Sequence, residues 1–466
     1  MGGLFGLVSQ TDCVKDLFFG TDYHSHLGTK RGGMAVQNKY GFKRFIHNIE
    51  NTPFRSKLEP DLLKLKGNKG IGVISDFDDQ PLLIRSHLGN YAIVTVGAIQ
   101  NAEELAEMAS DEKGVHFSEM SGGEINPTEL TAALINQEGS FVEGIQKAQN
   151  LIEGSCSLLL LTNEGIYAAR DKLGRTPLVI GKKERSLAIT SETCAFPNLH
   201  LEIKKYLGPG EIVFLSQEGI EPKKLPEKTM KICSFLWVYY GFPASSYEGI
   251  SVETVRNRCG RKLAQIDSQE IDLVAGIPDS GTAHGLGYAS KTQIPFLRPF
   301  VKYTPTWPRS FMPQNQAVRD LVAKMKLIPI KDLIENKRIL FCEDSIVRGT
   351  QLKDTIQRLY HYGASEVHMR PACPPLIYGC KYLNFSRSRS ELDLAARKAV
   401  QEIEGEKAAN LSDYAHPDSE KHHRMVDKIR QRLKLTSLRY QRLEELVKAI
   451  GLPKEKLCTY CWDGCG

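Results

Sequence analysis

At 466 residues the chain is too long for one ordinary core, and two or three domains are expected. Hydrophobic residues make up 41% and charged residues 25%, the balance of a soluble globular protein. A net charge of +6, from 61 basic and 55 acidic residues, suits a small anionic substrate and is too dilute for nucleic acid, while no apolar run approaches the roughly 18 residues of a membrane span.

The opening Met-Gly-Gly-Leu-Phe-Gly lacks the basic region and apolar stretch of a signal peptide. It half-matches a myristoylation pattern, but Gly6 stands where Ser or Thr is needed. Eleven cysteines without a secretion signal point away from disulfides and toward a cytoplasmic protein; metal ligation and buried inert thiols both stay open. Up to about Leu225, short strands and helices mix irregularly between glycines. Strands are predicted at Tyr91–Val96, Cys156–Leu161 and Glu211–Leu215, and helices at Ala102–Met108, capped by Asn101, and Pro127–Ile135. Such mixing predicts an α+β layered domain.

From Lys231 onward strands and helices alternate. Asp272–Ile277 is an apolar strand ending in Pro278-Asp279-Ser280-Gly281. Arg338–Cys342 is a second, ending in Glu343-Asp344-Ser345-Ile346-Val347-Arg348-Gly349-Thr350, with a helix over Leu352–Tyr362 and a strand over Glu366–Met369. This predicts a doubly wound α/β unit with ligand loops at the strand C-termini. Residues 386–433 are highly charged and predict a solvated helical insertion.

The segment Arg338–Thr350 carries the strongest chemical signal. A Ser-, Gly- and Thr-containing loop after a strand aims backbone N–H groups at a phosphate, and the following helix adds its positive N-terminal end. Glu343 and Asp344 before it supply acceptors for ribose hydroxyls or for Mg²⁺. The bland alternative is a structural strand-to-helix turn. Near the C-terminus, Cys458-Thr459-Tyr460-Cys461 has chelating spacing, which alone leaves zinc, iron–sulfur, redox work and chance open.

Along nearly its whole length, the charged insertion excepted, the chain resembles the amidophosphoribosyltransferases. Glu343–Thr350 closely resembles the phosphoribosyl pyrophosphate (PRPP) signature of type I phosphoribosyltransferases in the form that family carries, and Pro278-Asp279-Ser280-Gly281-Thr282 looks like its pyrophosphate-side loop. Arg170-Asp171, Leu173-Gly174, Pro177-Leu178 and Ser191-Glu192-Thr193 look like structural signatures of its glutaminase domain, and Pro209-Gly210-Glu211 like the turn into that domain's last strands. The resemblance implies an N-terminal-nucleophile hydrolase-like (αββα) domain over 1–228, of the class II glutamine amidotransferase type. An α/β type I phosphoribosyltransferase domain follows over 229–466.

In that family ammonia displaces pyrophosphate from C1 of Mg²⁺-bound PRPP, as in the first step of de novo purine synthesis, through an oxocarbenium-like transition state. Carried over, Glu343 and Asp344 engage ribose and metal, Ser345, Ile346, Val347, Arg348, Gly349 and Thr350 hold the 5′-phosphate, and Asp279, Ser280 and Gly281 face the pyrophosphate, with Ser280 also toward Mg²⁺. Glu343 stands where the family usually has Asp. The family's mobile loop corresponds to Lys302–Pro313, where Lys302 and Arg309 keep phosphate partners while added prolines and Trp307 alter how the loop closes. The family's iron–sulfur subgroup places four cysteines where this chain has Cys233, Cys380, Cys458 and Cys461. That implies a [4Fe–4S] cluster, with a Cys₄ zinc site as the alternative. Cys373 and Cys465 fit neither pattern. A homo-oligomer is also implied, with no nucleic acid or membrane partner.

The resemblance breaks at the glutamine site. Gly2 stands where the family has its nucleophilic cysteine, Val96 where an oxyanion-hole amide is expected, Ser75 where an Arg binds the glutamine carboxylate, and Pro127 where an Asp holds its amino group. Arg31-Gly32 persists. The leading expectation is therefore an enzyme that uses Mg²⁺·PRPP with ammonia, or another amine, supplied from elsewhere, such as a partner protein. The others are a non-catalytic PRPP-binding regulator or scaffold, and ordinary glutamine-dependent synthesis, which the N-terminal residues argue against.

Overall fold

The alternation of side chains in strand Gly2–Ser9 shows how the first half is built. Leu4 and Val8 point into one apolar core while Phe5 and Leu7 point into another. Strand Gly154–Leu161 does the same, with Leu159 and Leu161 facing the first core and Leu158 and Leu160 a third. The shared core lies between a seven-stranded and a six-stranded sheet. Helices Val14–Asp22 and Phe54–Leu62 cover the outer face of the first, and Ala102–Lys113, Pro127–Ile135 and Phe141–Leu151 that of the second. The result is four layers, αββα. The computed structural model describes residues 2–113, 117, 120–121, 124–265, 267–303, 327–383, 391–405 and 410–466.

Helix Pro127–Ile135 keeps its expected bounds because Asn126 caps it, its side chain accepting from Thr128 N and Glu129 N, with Pro127 at the first position. Asn101 behaves differently from expectation. It precedes the helix, but its side chain donates to Leu151 O at 3.0 Å and accepts from Glu153 N at 2.9 Å, tying the helix to the next strand.

In the second half, strands Leu273–Gly276, Arg338–Glu343, Glu366–Pro371 and Ser437–Leu438 form a parallel sheet in that order. Ile339-Leu340-Phe341-Cys342 is an unbroken apolar run because both faces are covered: Leu340 and Cys342 enter one core, Ile339 and Phe341 the other. The predicted helix after the second strand begins earlier than expected, at Thr350, directly against the loop. The charged insertion is also corrected over its described residues. Helices Ala395–Glu404 and Glu420–Leu433 turn Ala396, Ala399, Val400, Met425, Ile429 and Leu433 into the core beneath the sheet, leaving only their outer faces solvated. Among the described residues no helix is long and apolar enough to cross a membrane.

The short signatures of the first half hold the two halves together. Arg170 is fully buried; it donates to Thr176 O at 3.1 Å, to Gly174 O at 2.6 Å and to Leu207 O, and pairs with Glu248 at 2.8 Å. Gly174 is in the left-handed region at φ 65°, which the turn around that guanidinium requires. Buried Glu192 accepts from Tyr247 Oη at 2.5 Å and Phe242 N at 3.2 Å, both from the second half, and pairs with His26 at 2.8 Å. Burial pushes the Glu192 carboxyl up, but His26 and the Tyr247 hydrogen bond outweigh it and bring it down to about 2.

Candidate active site

Two strand ends of the parallel sheet bring the sequence-predicted acids together. Ser280 Oγ donates to Glu343 Oε1 at 3.1 Å, Asp344 N donates to the same oxygen at 3.0 Å, and Ser345 Oγ donates to Asp344 Oδ2 at 2.5 Å. Glu343 and Asp344 are both buried. Burial first, and the neighbouring Asp344 charge second, push the Glu343 carboxyl well above its ordinary range. Two carboxylates in one enclosed place favour a cation between them, so this donor set fits Mg²⁺. Gly281 is needed for the approach, because a Cβ there would lie 2.3 Å from Cys342 O on the neighbouring strand. The Pro278–Asp279 peptide beside it is cis.

The phosphate loop divides its labour. Ile346 is buried in the core and Val347 packs against the opposite one, so their side chains anchor the loop. Gly349, at φ 75°, turns the chain into helix Thr350–His361, whose N-terminus faces the loop. Arg348 is exposed. Lys302 Nζ pairs with Asp279 Oδ2 across the pyrophosphate-side loop. Arg309 and the rest of the closing loop from 304 lie outside the described residues. Sequence reasoning missed Arg256. It is buried, donates to Trp237 O at 3.0 Å and to Tyr239 O and Gly241 O at 2.8 Å each, and its charge reaches Asp344.

Cys233, Cys380, Cys458 and Cys461 line one small cavity of about 10 Å³ with Arg175, Phe235, Tyr382 and Trp462. Parallel strands Ile232–Cys233 and Leu457–Cys458 set Cys233 opposite Cys458. Burial and then the charges of Cys458 and Cys380 push the Cys233 thiol well up, and contact with Cys380 does the same to Cys461. Among the described residues no group of three or more His, Cys, Asp or Glu side chains converges on a single metal-ion position. The four thiols in this lining are the donor type of both zinc and iron–sulfur sites. Cys373 is buried in the core nearby and Cys465 is exposed.

A second cavity, of about 30 Å³, brings Gly2, Ser75, Val96 and Pro127 to one place, with Asp78, Gln80 and Cys156. A Cβ at Gly2 would lie 2.4 Å from Ile74 O and 3.1 Å from Val96 Cγ1, so the wall has closed over the position. Ser75 Oγ accepts from Phe77 N at 3.1 Å and Asp78 N at 3.3 Å, a turn rather than a charged clamp. Cys156, which sequence reasoning did not place here, lines this cavity as a thiol pushed up to about 12 by burial. Arg31 pairs with Asp79 at 2.6 Å, and a Cβ at Gly32 would meet Phe54 at 2.4 Å, so that pair is used in packing.

A glutamine amidotransferase domain model matches residues 70–198. The amidophosphoribosyltransferase of Methanocaldococcus jannaschii is 30% identical, with 100% of this chain and 97% of that protein aligned. This chain belongs to the amidophosphoribosyltransferase family. The Bacillus subtilis amidophosphoribosyltransferase is 29% identical over 88% of this chain and 87% of its own length. A solved structure of glutamine phosphoribosylpyrophosphate amidotransferase from B. subtilis, complexed with ADP and GMP, superposes with a TM-score of 0.85 at 27% identity, covering 99% of this chain and 96% of that one. As in other amidophosphoribosyltransferases, which are transferases, the four-layer half is an N-terminal-nucleophile hydrolase-type domain and the parallel-sheet half a phosphoribosyltransferase domain.

Proposed function

We propose that the protein is an amidophosphoribosyltransferase that acts on Mg²⁺·PRPP with ammonia, or another amine, drawn from outside its own glutaminase domain. The observation that carries this is a contrast between two pockets of one chain. Glu343, Asp344 and Ser280 are hydrogen-bonded together beside a phosphate loop, while Gly2 presents no nucleophile and Val96 no amide. On this reading 1–228 is the degenerate amidotransferase domain and 229–466 the phosphoribosyltransferase domain, and the chain acts in the cytoplasm as a homo-oligomer.

The backbone N–H groups of Ser345 to Thr350 and the N-terminus of helix Thr350–His361 hold the 5′-phosphate. Glu343 and Asp344 hold the ribose hydroxyls and, with Ser280, Mg²⁺. When bound, Mg²⁺ neutralises charge on the leaving pyrophosphate. Lys302, released from Asp279, follows the leaving group, and Arg309 would do the same from the closing loop. As C1–O breaks, an oxocarbenium-like carbon forms, and the protein's contribution is position and electrostatics. The amine lone pair forms the C1–N bond, pyrophosphate leaves with the C–O electrons, and the amine's proton goes to solvent. Cys233, Cys380, Cys458 and Cys461 would hold a [4Fe–4S] cluster that ties the start of the second domain to the chain's end.

A second reading, a PRPP-binding regulator without turnover, is favoured by one observation: Lys302 is engaged by Asp279 where the pyrophosphate would lie. Pyrophosphate release from PRPP and Mg²⁺ with ammonia, with glutamine and with neither separates the readings. The proposal requires release with ammonia only. Binding of PRPP without release under any of the three conditions establishes the regulator, and release with glutamine restores the ordinary family reaction.

A further inference from the structure

A turn of the first half delivers a charged side chain to the cysteine cavity of the second. Asp171 builds the turn, its carboxylate accepting from Arg175 N and Thr176 N at 3.0 Å each. The turn is joined to the other half through the backbone, where Lys231 N donates to Leu173 O at 2.7 Å and Cys233 N to Arg175 O at 3.2 Å. Arg175 therefore enters the cavity beside the first of its four thiols, and its charge reaches Cys458.

Arg175 is only 3% exposed, yet its Nε and Nη1 have no hydrogen-bond partner among the described residues. Arg170, at the start of the same turn, shows what a buried guanidinium requires in this fold: each of its three nitrogens donates, and Glu248 supplies an anion. The Tyr382 ring, 3.5 Å from Cζ of Arg175, offsets part of the cost of burying the charge. A buried cation with no anion remains expensive. Four thiolates outweigh the dipositive charge of a zinc ion, and equally that of an oxidised [4Fe–4S] core, so either occupant of the cavity is an anion.

We propose that Arg175 is the counter-charge of the metal group held by Cys233, Cys380, Cys458 and Cys461, its free N–H groups donating to the ligating sulfur atoms. This rests on the reading that the four thiols bind metal. The ligands all come from the second domain and Arg175 from the first, so the site is incomplete without both. A first domain without glutaminase chemistry still completes the metal site.

The test compares the full-length parent with Arg175→Met and Arg175→Lys, each purified anaerobically with iron supplied. Metal content is measured first, then the rate at which a chelator strips the metal, then the melting temperatures of loaded and stripped protein. Arg175→Met should fail to load or should lose metal about tenfold faster, the scale on which partners of the ligands change metal affinity. Arg175→Lys keeps the charge and should stay within about threefold of the parent. Stripped Arg175→Met should melt at or above the stripped parent, because an unpaired buried cation is gone, while the loaded variant melts lower. A residue that merely packs would lower both alike. If the stripped protein does not fold, the release rates decide alone. Unchanged release from Arg175→Met, release from Arg175→Lys as fast as from Arg175→Met, or an equal fall in melting temperature in both states would overturn the proposal and leave metal binding by the thiols standing. A parent that binds no metal overturns both.

Discussion

Cys233 stands directly opposite Cys458 where the first strand of the phosphoribosyltransferase half pairs in parallel with the last. Ser234 reinforces the join, its hydroxyl donating to Cys458 O at 3.0 Å. Cys380 and Cys461 complete the lining of the cavity between them. A group ligated by all four thiols would therefore cross-link the domain's beginning, middle and end.

The protein purified anaerobically with iron supplied should be brown and contain iron and sulfide. Cys461→Ser should lose most of the iron and lower the melting temperature, because the cavity would keep three thiols, two of them buried, with nothing to hold. Arg175, from the other half, lies 3.5 Å over the Tyr382 ring at the same cavity, so domain contacts should loosen as well. Elemental analysis decides: zinc without iron in such preparations means the thiols hold a zinc ion instead.

Asp344→Asn should weaken Mg²⁺-dependent PRPP binding by about 1–3 kcal/mol, the range for removing a charged hydrogen-bond acceptor. The change also removes the second-largest influence holding Glu343 protonated, so Glu343 should ionise more readily in the variant. Unchanged affinity by calorimetry would remove Glu343–Asp344 from the ribose and metal site.

The strand Arg338–Glu343 and its loop were legible because an unbroken apolar run is the mark of a strand covered on both faces, and two acids at its end have no place in such a core. Helix Pro127–Ile135 was legible because Asn126 and Pro127 carry its start locally. Arg256 was not. In sequence it reads as one more cation on a charged helix, and only the fold brings Trp237 O, Tyr239 O and Gly241 O around its guanidinium. The insertion misled for a related reason: its charge density is real, but each helix also carries a stripe of Ala, Val, Met, Ile and Leu whose partner lies elsewhere in the chain. Asn101 and Cys156 likewise take their roles from residues distant in sequence.

Stability should fall on acidification below neutrality in a way that His24 explains. Its ring is fully buried, with Nδ1 at 2.8 Å from Gly20 O and Nε2 at 2.9 Å from Thr190 Oγ1. Burial brings its pKa from 6.5 to about 4. A histidine lowered on folding contributes stability above 6.5 that is lost as pH falls toward 4, on the order of 3 kcal/mol. Glu192, lowered from 4.5 to about 2, adds a loss of the same sign over the next interval down. Denaturant titrations of His24→Leu between pH 7 and 4 should show a flatter dependence than the parent, even if its stability at neutral pH is lower. The same slope in both would assign the acid sensitivity elsewhere.

Gly2→Cys should not restore glutaminase activity, and the reason is geometric as well as chemical. The first atom of any side chain at position 2 meets Ile74 O at 2.4 Å, so the strand must shift before a thiol can exist there. Were it to shift, Val96 would still offer no side-chain amide to a tetrahedral oxyanion, and loss of one such donor costs about 10²–10³-fold by itself. Ser75, whose hydroxyl already accepts from Phe77 N and Asp78 N, and Pro127, at the start of a helix, supply no charges for the amino acid's two ends. The one other thiol lining this cavity among the described residues, Cys156, is held protonated by burial and hydrogen-bonded with Thr131 at 3.6 Å. Neither the parent nor Gly2→Cys should therefore release glutamate from glutamine, and a glutamine-analogue electrophile should label neither at residue 2 nor at Cys156. Glutamate release by the unmodified protein, in a preparation free of other glutaminases, would return the first domain to the family's ordinary chemistry and require a nucleophile other than residue 2.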